Sequence, residues 1–461
     1  MSEKVEILRM AYGKGAVAKL ACGKTVFVRG GVPGETCEIE ITQDHDRFAE
    51  ARIVSREVKA DQILGADWAD LNYSAQLEWK KNCVRNALVR NAKFDAETVD
   101  SILQDTVASP SEWNYRNKIE LNWKNGKLGM MDEGTNHFVQ VSEFPLAHKE
   151  ISKAPKALAG ALKFALHGED CGIFRVGIRH SERTGDIQVA IWTTPGWFPR
   201  HEVAKVVEDA TGANSIIRII ADAGKTRKIK QVEMLQGNPT WTEKLNGFTY
   251  SISAPSFFQV NTFQAEVLQS LVLDALTQVQ KGDDEFITSF KKSSVSCENA
   301  ALHNGDDEFC AAAKNGDEEL IADLYCGAGT FTLPLAKAGF DVVGVELAGS
   351  STKDLSRNLA CSRLDADVIC DEVERALPKM PHFDACVVDP PKCGLNKGVV
   401  KQLIKREPRK IVYVSCDPMT LSRDLKAFAQ GGYKIEKATL VDMFPQTHHV
   451  ETVAVLSKFG D

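Results

Sequence analysis

The chain has 461 residues, 43% of them hydrophobic and 26% charged, more apolar material than one ordinary core holds, and this sets an expectation of two or three domains. Its formal charge of −7 argues against a uniformly basic nucleic-acid binder. Residues 281–320 alone hold four Lys against ten Asp and Glu, however, so the remainder is near neutral and free to carry a local basic face.

Met1–Met10 has no apolar core of signal-peptide length, and no stretch approaches the roughly 20 apolar residues of a membrane helix. A cytoplasmic protein with no membrane partner and no obligate protein partner is expected. The twelve cysteines run from Cys22 to Cys416 with no CxxC pair and no zinc spacing, which predicts reduced, mostly structural thiols.

From Val5 to about Ser55 the pattern is short alternating stretches broken by turns at Gly13-Lys14-Gly15, Gly23-Lys24 and Pro33-Gly34, which a small β-barrel would close. Tyr73 to Leu88 has apolar residues at helical spacing with basic residues between them, predicting an amphipathic helix. Strand signals follow at Lys118–Trp123, Gly172–Ile178 and Ile187–Trp192, giving a central α/β region. Gly-Asp-Asp-Glu-Phe then occurs at 282–286 and again at 305–309. Gly-Asp-Glu-Glu-Leu at 316–320 echoes them at irregular spacing, so the acidic stretch reads as a solvated insertion and not as a folded repeat.

From Leu320 strands and helices alternate: Ile321–Tyr325, a helix after Gly329, Val342–Val345, Ala385–Val388, Ile411–Val414 and Val450–Leu456. Such alternation predicts an α/β fold with a largely parallel, doubly wound sheet and ligand chemistry at the strands' carboxyl ends. At the first end, Gly327 and Gly329 let a ligand approach the backbone, and Glu346 closes the next strand where an acid can hold ribose hydroxyls. Thr332 replaces the third glycine of the dinucleotide pattern, so these features alone indicate a nucleoside cofactor. Asp389 leaves its strand before two prolines, as an acceptor for a base edge or a cofactor. Cys416 ends the following strand. A lone cysteine is usually structural, but this one shares a crevice mouth with Asp389 and the glycine loop, which favours thiolate chemistry. His448 and His449 are adjacent and lack companion ligands in the sequence, so no metal is expected. Glu451 is the better group for removing a proton.

The set Ser256-Phe257-Phe258-Gln259, Asp323 through Thr330, Asp389-Pro390-Pro391, Ser415-Cys416-Asp417-Pro418 with Arg423-Asp424, and Asp442 through Glu451 resembles the RNA 5-methyluridine (uracil-C5) methyltransferase family. The N-terminal segment is similar to the TRAM domain, an RNA-binding β-barrel. The resemblance implies residues 1–60 as a TRAM-like barrel and 61–255 as a central α/β RNA-recognition domain. It implies 256–461 as a Rossmann-like, S-adenosylmethionine-dependent methyltransferase domain with the acidic insertion at about 281–319. It further implies Cys416 as the nucleophile that adds to uracil C6, Glu451 as the base that takes the C5 proton, and Asp389 as the group orienting the uracil. Gln259, Tyr325, Thr330, Glu346 and Asp389 would contact S-adenosylmethionine, and Phe257 or Phe258 would either replace an extruded base or pack in the core. Relatives with a TRAM domain often hold an iron–sulfur cluster on four cysteines. Here the matching positions fall in Asp61 to Asp70 and at Phe144, so no cluster is expected. The RNA partner implied is 23S rRNA ahead of tRNA; the rivals are an RNA cytosine-C5 methyltransferase and a non-catalytic RNA-binding protein.

Overall fold

The computed structural model describes residues 2–13, 15–56, 63–132, 137–224, 228–277 and 319–459. The acidic insertion expected at about 281–319 lies, apart from Glu319, outside the described residues. The chain forms two compact units, one of Met1–Trp113 with Pro391–Leu395 and Val414–Phe459, the other chiefly of Asn114–Pro390 with Asn396–Tyr413.

In the first unit, β1 (Ser2–Met10), β2 (Gly15–Lys19), β3 (Thr25–Arg29), β4 (Thr36–Asp44) and β5 (Phe48–Arg56) close a barrel in the order β1-β2-β3-β5-β4. Alternation explains the closure: Val5, Ile7, Val26, Val28, Ile39 and Ala49 all turn inward and are buried together. Helix α1 (Tyr73–Ala87) starts where the Asn72 side chain accepts from the Ala75 amide at 2.8 Å. It runs into a π-helical turn, Leu88–Ala92, and Asp95 caps the short α2 (Ala96–Ile102).

Among the described residues, the second unit contains two large sheets and a two-stranded hairpin. The first comprises β6 (Lys118–Lys124), β7 (Lys127–Met131), β8 (Phe138–Gln140), β9 (Ile173–His180), β10 (Ile187–Thr193), β11 (Ser215–Ala221) and β12 (Ile229–Gly237), in the order β12-β11-β10-β9-β6-β7-β8. Its helices are α3 (Lys149–Ser152), α4 (Ala154–Ala165) and α5 (Arg200–Thr211); α4 buries Leu158 and Leu162, and α5 buries Val203 and Val207. The hairpin β13 (Thr240–Leu245) and β14 (Phe248–Ser253) turns through Asn246-Gly247, both at positive φ, the combination a two-residue hairpin loop prefers. Its Trp241, Leu245, Tyr250 and Ile252 share a core with Cys326, Leu333 and Leu355. Helix α6 (Thr262–Thr277) follows.

The second sheet is built from β15 (Leu320–Leu324), α7 (Thr332–Lys337), β16 (Asp341–Glu346), α8 (Gly349–Ser362), β17 (Asp367–Cys370), α9 (Val373–Ala376), β18 (Ala385–Val388), α10 (Lys397–Arg406) and β19 (Lys410–Ser415). These five strands are parallel in the order β17-β16-β15-β18-β19, the doubly wound arrangement expected. The order reverses at β15, so the crevice for a ligand opens where β15 and β18 end. In the first unit the chain finishes with α11 (Pro418–Gln430) and the antiparallel pair β20 (Tyr433–Val441) and β21 (Glu451–Lys458), in which Val441 faces Glu451.

Candidate active site

Within the second unit, three carboxylates sit at the ends of β15, β16 and β18. Asp323 is fully buried; its Oδ2 accepts from the Thr332 hydroxyl at 2.6 Å, whereas its Oδ1 is buried with no hydrogen-bond partner. Burial is the main reason its carboxyl is pushed up to about 7. Glu346 accepts from the Gly327 amide at 3.1 Å through Oε2 and from the Ala348 amide at 2.7 Å through Oε1, so the acid at the end of β16 braces the glycine loop. Asp389, directly after β18, has its carboxyl raised to about 7 by burial and then by the carboxylates of Asp323 and Glu346. Adjacent negative charge of this density calls for a ligand that brings positive charge or several donors.

The loop between β15 and α7 is shaped to bring such a ligand close. Tyr325 is held at a φ of +68°, and its amide donates to the Val345 carbonyl at 2.8 Å. A Cβ on Gly329 would lie 2.5 Å from Leu355 and 2.6 Å from Leu333, at a φ of +94°, so only glycine fits. Thr330 follows, and its carbonyl accepts from Gln269 Nε2 at 2.8 Å. Gln259 is buried, its carbonyl fixed by Asn117 Nδ2 at 2.9 Å. Gln259, Tyr325, Thr330, Glu346 and Asp389 therefore all belong to the second unit. The turn before Gln259 decides between the two phenylalanines. Phe258 is 4% exposed and packs on Trp241 and Tyr250, whereas Phe257 is 65% exposed. Phe258 is core, and Phe257 alone is available to meet a base. Arg179, whose guanidinium donates to the carbonyls of Ser253 and Ser256, pins this turn; nothing in its sequence surroundings announced the role.

Cys416 and Glu451 belong to the first unit. Cys416 is half-exposed and stands between β19 and Asp417, which caps α11 by accepting from the amides of Met419 and Thr420, each at 2.9 Å. On that helix Arg423 donates to the Leu395 carbonyl at 2.9 Å, and Asp424 accepts from the Leu395 amide at 2.9 Å. The Arg-Asp pair thus clamps the segment that follows Asp389-Pro390. Glu451 is buried as the first residue of β21.

The loop leading to Glu451 is anchored by one face of α1. Lys80 donates to Asp442 at 2.6 Å and to the Phe444 carbonyl at 2.9 Å, both ion-pair partners being fully buried. Gln76 donates to Gln446 Oε1 at 2.8 Å and accepts from its amide at 2.9 Å. Their i, i+4 spacing was the available signal. Where cluster cysteines would fall in relatives, Asp67 pairs with His448 Nδ1 at 2.6 Å, Trp68 is buried, and so is Phe144. Among the described residues no group of three or more His, Cys, Asp or Glu is arranged to hold a metal.

Comparison with known proteins agrees with this architecture. Residues 241–459 match the tRNA (uracil-5-)-methyltransferase family and residues 4–54 the TRAM domain. An uncharacterised RNA methyltransferase of Thermosynechococcus vestitus is 27% identical, covering 94% of this chain and 93% of its own. Another, from Listeria innocua, is 28% identical over 94% of this chain and 93% of its own. The crystal structure of the Pyrococcus abyssi tRNA (uracil-54, C5)-methyltransferase, solved with S-adenosyl-L-homocysteine, shares the fold with a TM-score of 0.71 at 24% identity, over 98% of this chain and 99% of that one. The chain is therefore an RNA methyltransferase whose residues 241–459 match the tRNA (uracil-5-)-methyltransferase family and whose residues 4–54 match the TRAM domain.

Proposed function

We propose that the enzyme methylates C5 of a specific uridine in RNA from S-adenosylmethionine, using Cys416 as nucleophile, Glu451 as general base and Asp389 to orient the uracil. The observation that carries this reading is the placement of the reactive residue types. Asp389 directly follows β18 and Cys416 directly follows β19, and these two strands are paired in parallel register, Val388 with Tyr413.

The residues present fit the cofactor. A sulfonium cation and an ammonium group suit the three strand-end carboxylates, and the partnerless Oδ1 of Asp323 lacks the donor that a nucleoside or amino-acid moiety offers. Gln259, Tyr325, Thr330, Glu346 and Asp389 would hold it. When bound, S-adenosylmethionine supplies an electrophilic methyl group.

The protein's own task is to make uracil C5 nucleophilic. The Cys416 thiolate forms a bond to C6, and the C5=C6 electron pair moves into an enolate spread over C5 and the C4 carbonyl. Asp389, with its carboxyl near neutrality, holds the base edge through this change of charge. Once C5 carries the methyl group, Glu451 takes the C5 proton, the C5=C6 bond re-forms, and the C6–S bond breaks to return the thiolate.

The substrate we favour is 23S rRNA, on the strength of the TRAM barrel. The tRNA reading is supported by the family description and by the Pyrococcus abyssi enzyme's own substrate. Mapping 5-methyluridine in rRNA and tRNA from cells with and without the gene tests both, with one rRNA site expected to lose its methyl group. Methylcytosine in place of methyluridine among the lost marks would overturn the base assignment. RNA carrying 5-fluorouridine at the target offers no C5 proton to remove. It should trap the wild-type protein as a complex stable to denaturation and leave Cys416→Ala untrapped.

A further inference from the structure

Tyr12 lies in the turn between β1 and β2, and its ring packs against the barrel core. Its hydroxyl leaves the barrel behind. It donates to Asp417 Oδ2 at 3.0 Å and lies 3.5 Å from the Cys416 carbonyl oxygen. The other oxygen of the same carboxylate, Oδ1, caps α11. Asp417 is thus held by the helix through one oxygen and by the barrel through the other, and Cys416 is the residue joining it to β19.

The surroundings fix the tyrosine as firmly as the aspartate. Its ring meets the edge of His448, centroids 5.9 Å apart, and His448 Nδ1 is 2.6 Å from Asp67 Oδ2. Burial, followed by the Asp417 carboxylate, pushes the Tyr12 hydroxyl far above its ordinary range, so it remains a donor at every working pH. The bond spans 405 positions in sequence and ends on the residue next to Cys416.

We propose that Tyr12 is a positioning residue for Cys416: the N-terminal barrel reaches into the Cys416–Asp417 turn through this hydroxyl and sets the direction from which the thiolate meets uracil C6. The proposal rests on Cys416 being the nucleophile. It gives the barrel a part in the chemical step in addition to RNA binding. Misplacing a reacting atom by a fraction of an ångström lowers a rate without weakening binding, because binding is spread over many contacts and the attack trajectory over few.

The test compares full-length wild type, Tyr12→Phe and Cys416→Ala, with total RNA from cells lacking the gene as substrate and rates expressed per folded molecule from circular dichroism. Tyr12→Phe, which removes only the hydroxyl, should lower kcat by roughly tenfold or more while KM for RNA stays within about threefold. Its rate of trapping by 5-fluorouridine RNA should fall by the same factor. A raised KM with unchanged kcat would make the barrel a binding module alone and overturn the proposal, as would wild-type values for both. Turnover by Cys416→Ala would instead remove the nucleophile reading, and the Tyr12 proposal with it. That outcome differs from a dead Cys416→Ala beside a fully active Tyr12→Phe, which rejects Tyr12 alone.

Discussion

Asp323 shows most clearly how a single side chain is made ready for a ligand. Its carboxyl is raised from an ordinary 3.8 to about 7 because a buried charge is poorly solvated, and one oxygen has no donor. A raised carboxyl pKa favours the folded state fully below pH 3.8, and that contribution is lost as pH rises through about 7. A donor-bearing ligand reverses the preference by stabilising the carboxylate. Binding of S-adenosylhomocysteine near pH 7 should therefore release part of a proton, drawn from Asp323 and Asp389 together. Calorimetric titration in two buffers of different ionisation enthalpy measures this; equal binding enthalpies would refute it, and Asp323→Asn should diminish the release. The sequence named Glu346 and Asp389 through their positions at strand ends. It left Asp323 as part of a motif with no role, because the partnerless oxygen is a property of packing. The two adjacent phenylalanines were likewise indistinguishable until Phe258 was found against Trp241 and Tyr250.

Helix α1 illustrates how one element holds a loop that lies hundreds of residues away in sequence. Gln76 and Lys80 lie on its buried face and hold the loop from Asp442 to Gln446, from which the chain continues to Glu451. Burial lowers the Lys80 pKa and Asp442 opposes the shift, as expected of an ion pair retained in a core. Lys80→Met leaves the Asp442 carboxylate buried without its cation and should cost about 3–5 kcal/mol in urea unfolding. The double variant Lys80→Met with Asp442→Leu should recover much of that loss. Equal losses in single and double variants would mean that the ion pair is not the anchor. Periodicity predicted this helix to within a residue, and the strand signals at Ala385–Val388 and Ile187–Trp192 were similarly clear. Strands β17 and β20 were among several not recognised: β17 has four residues, and β20 mixes Lys and Glu into its exposed half. Short or half-solvated strands lack the alternating apolar signal that periodicity reads.

For the molecule as a whole, charge distribution matters more than its total. Residues 281–318 hold nine Asp and Glu against four Lys, a net of −5 in a chain whose formal net is −7. Replacing them with a short Gly-Ser linker should tighten binding to total RNA at low salt by several-fold, about as expected for relief of repulsion from phosphate. Filter binding across a salt series checks this, and unchanged affinity would show that the segment's charge is not felt by bound RNA. The barrel, the parallel sheet, the glycine loop and the order of Asp389, Cys416 and Glu451 were all decided by local sequence, because alternation, turn residues and strand-end residue types act over a few positions. Tyr12 on Asp417, Lys80 on Asp442 and the choice between Phe257 and Phe258 were decided only by tertiary structure. Each depends on which side chains meet across hundreds of residues or on which way a turn faces, and no pattern along the chain carries that information.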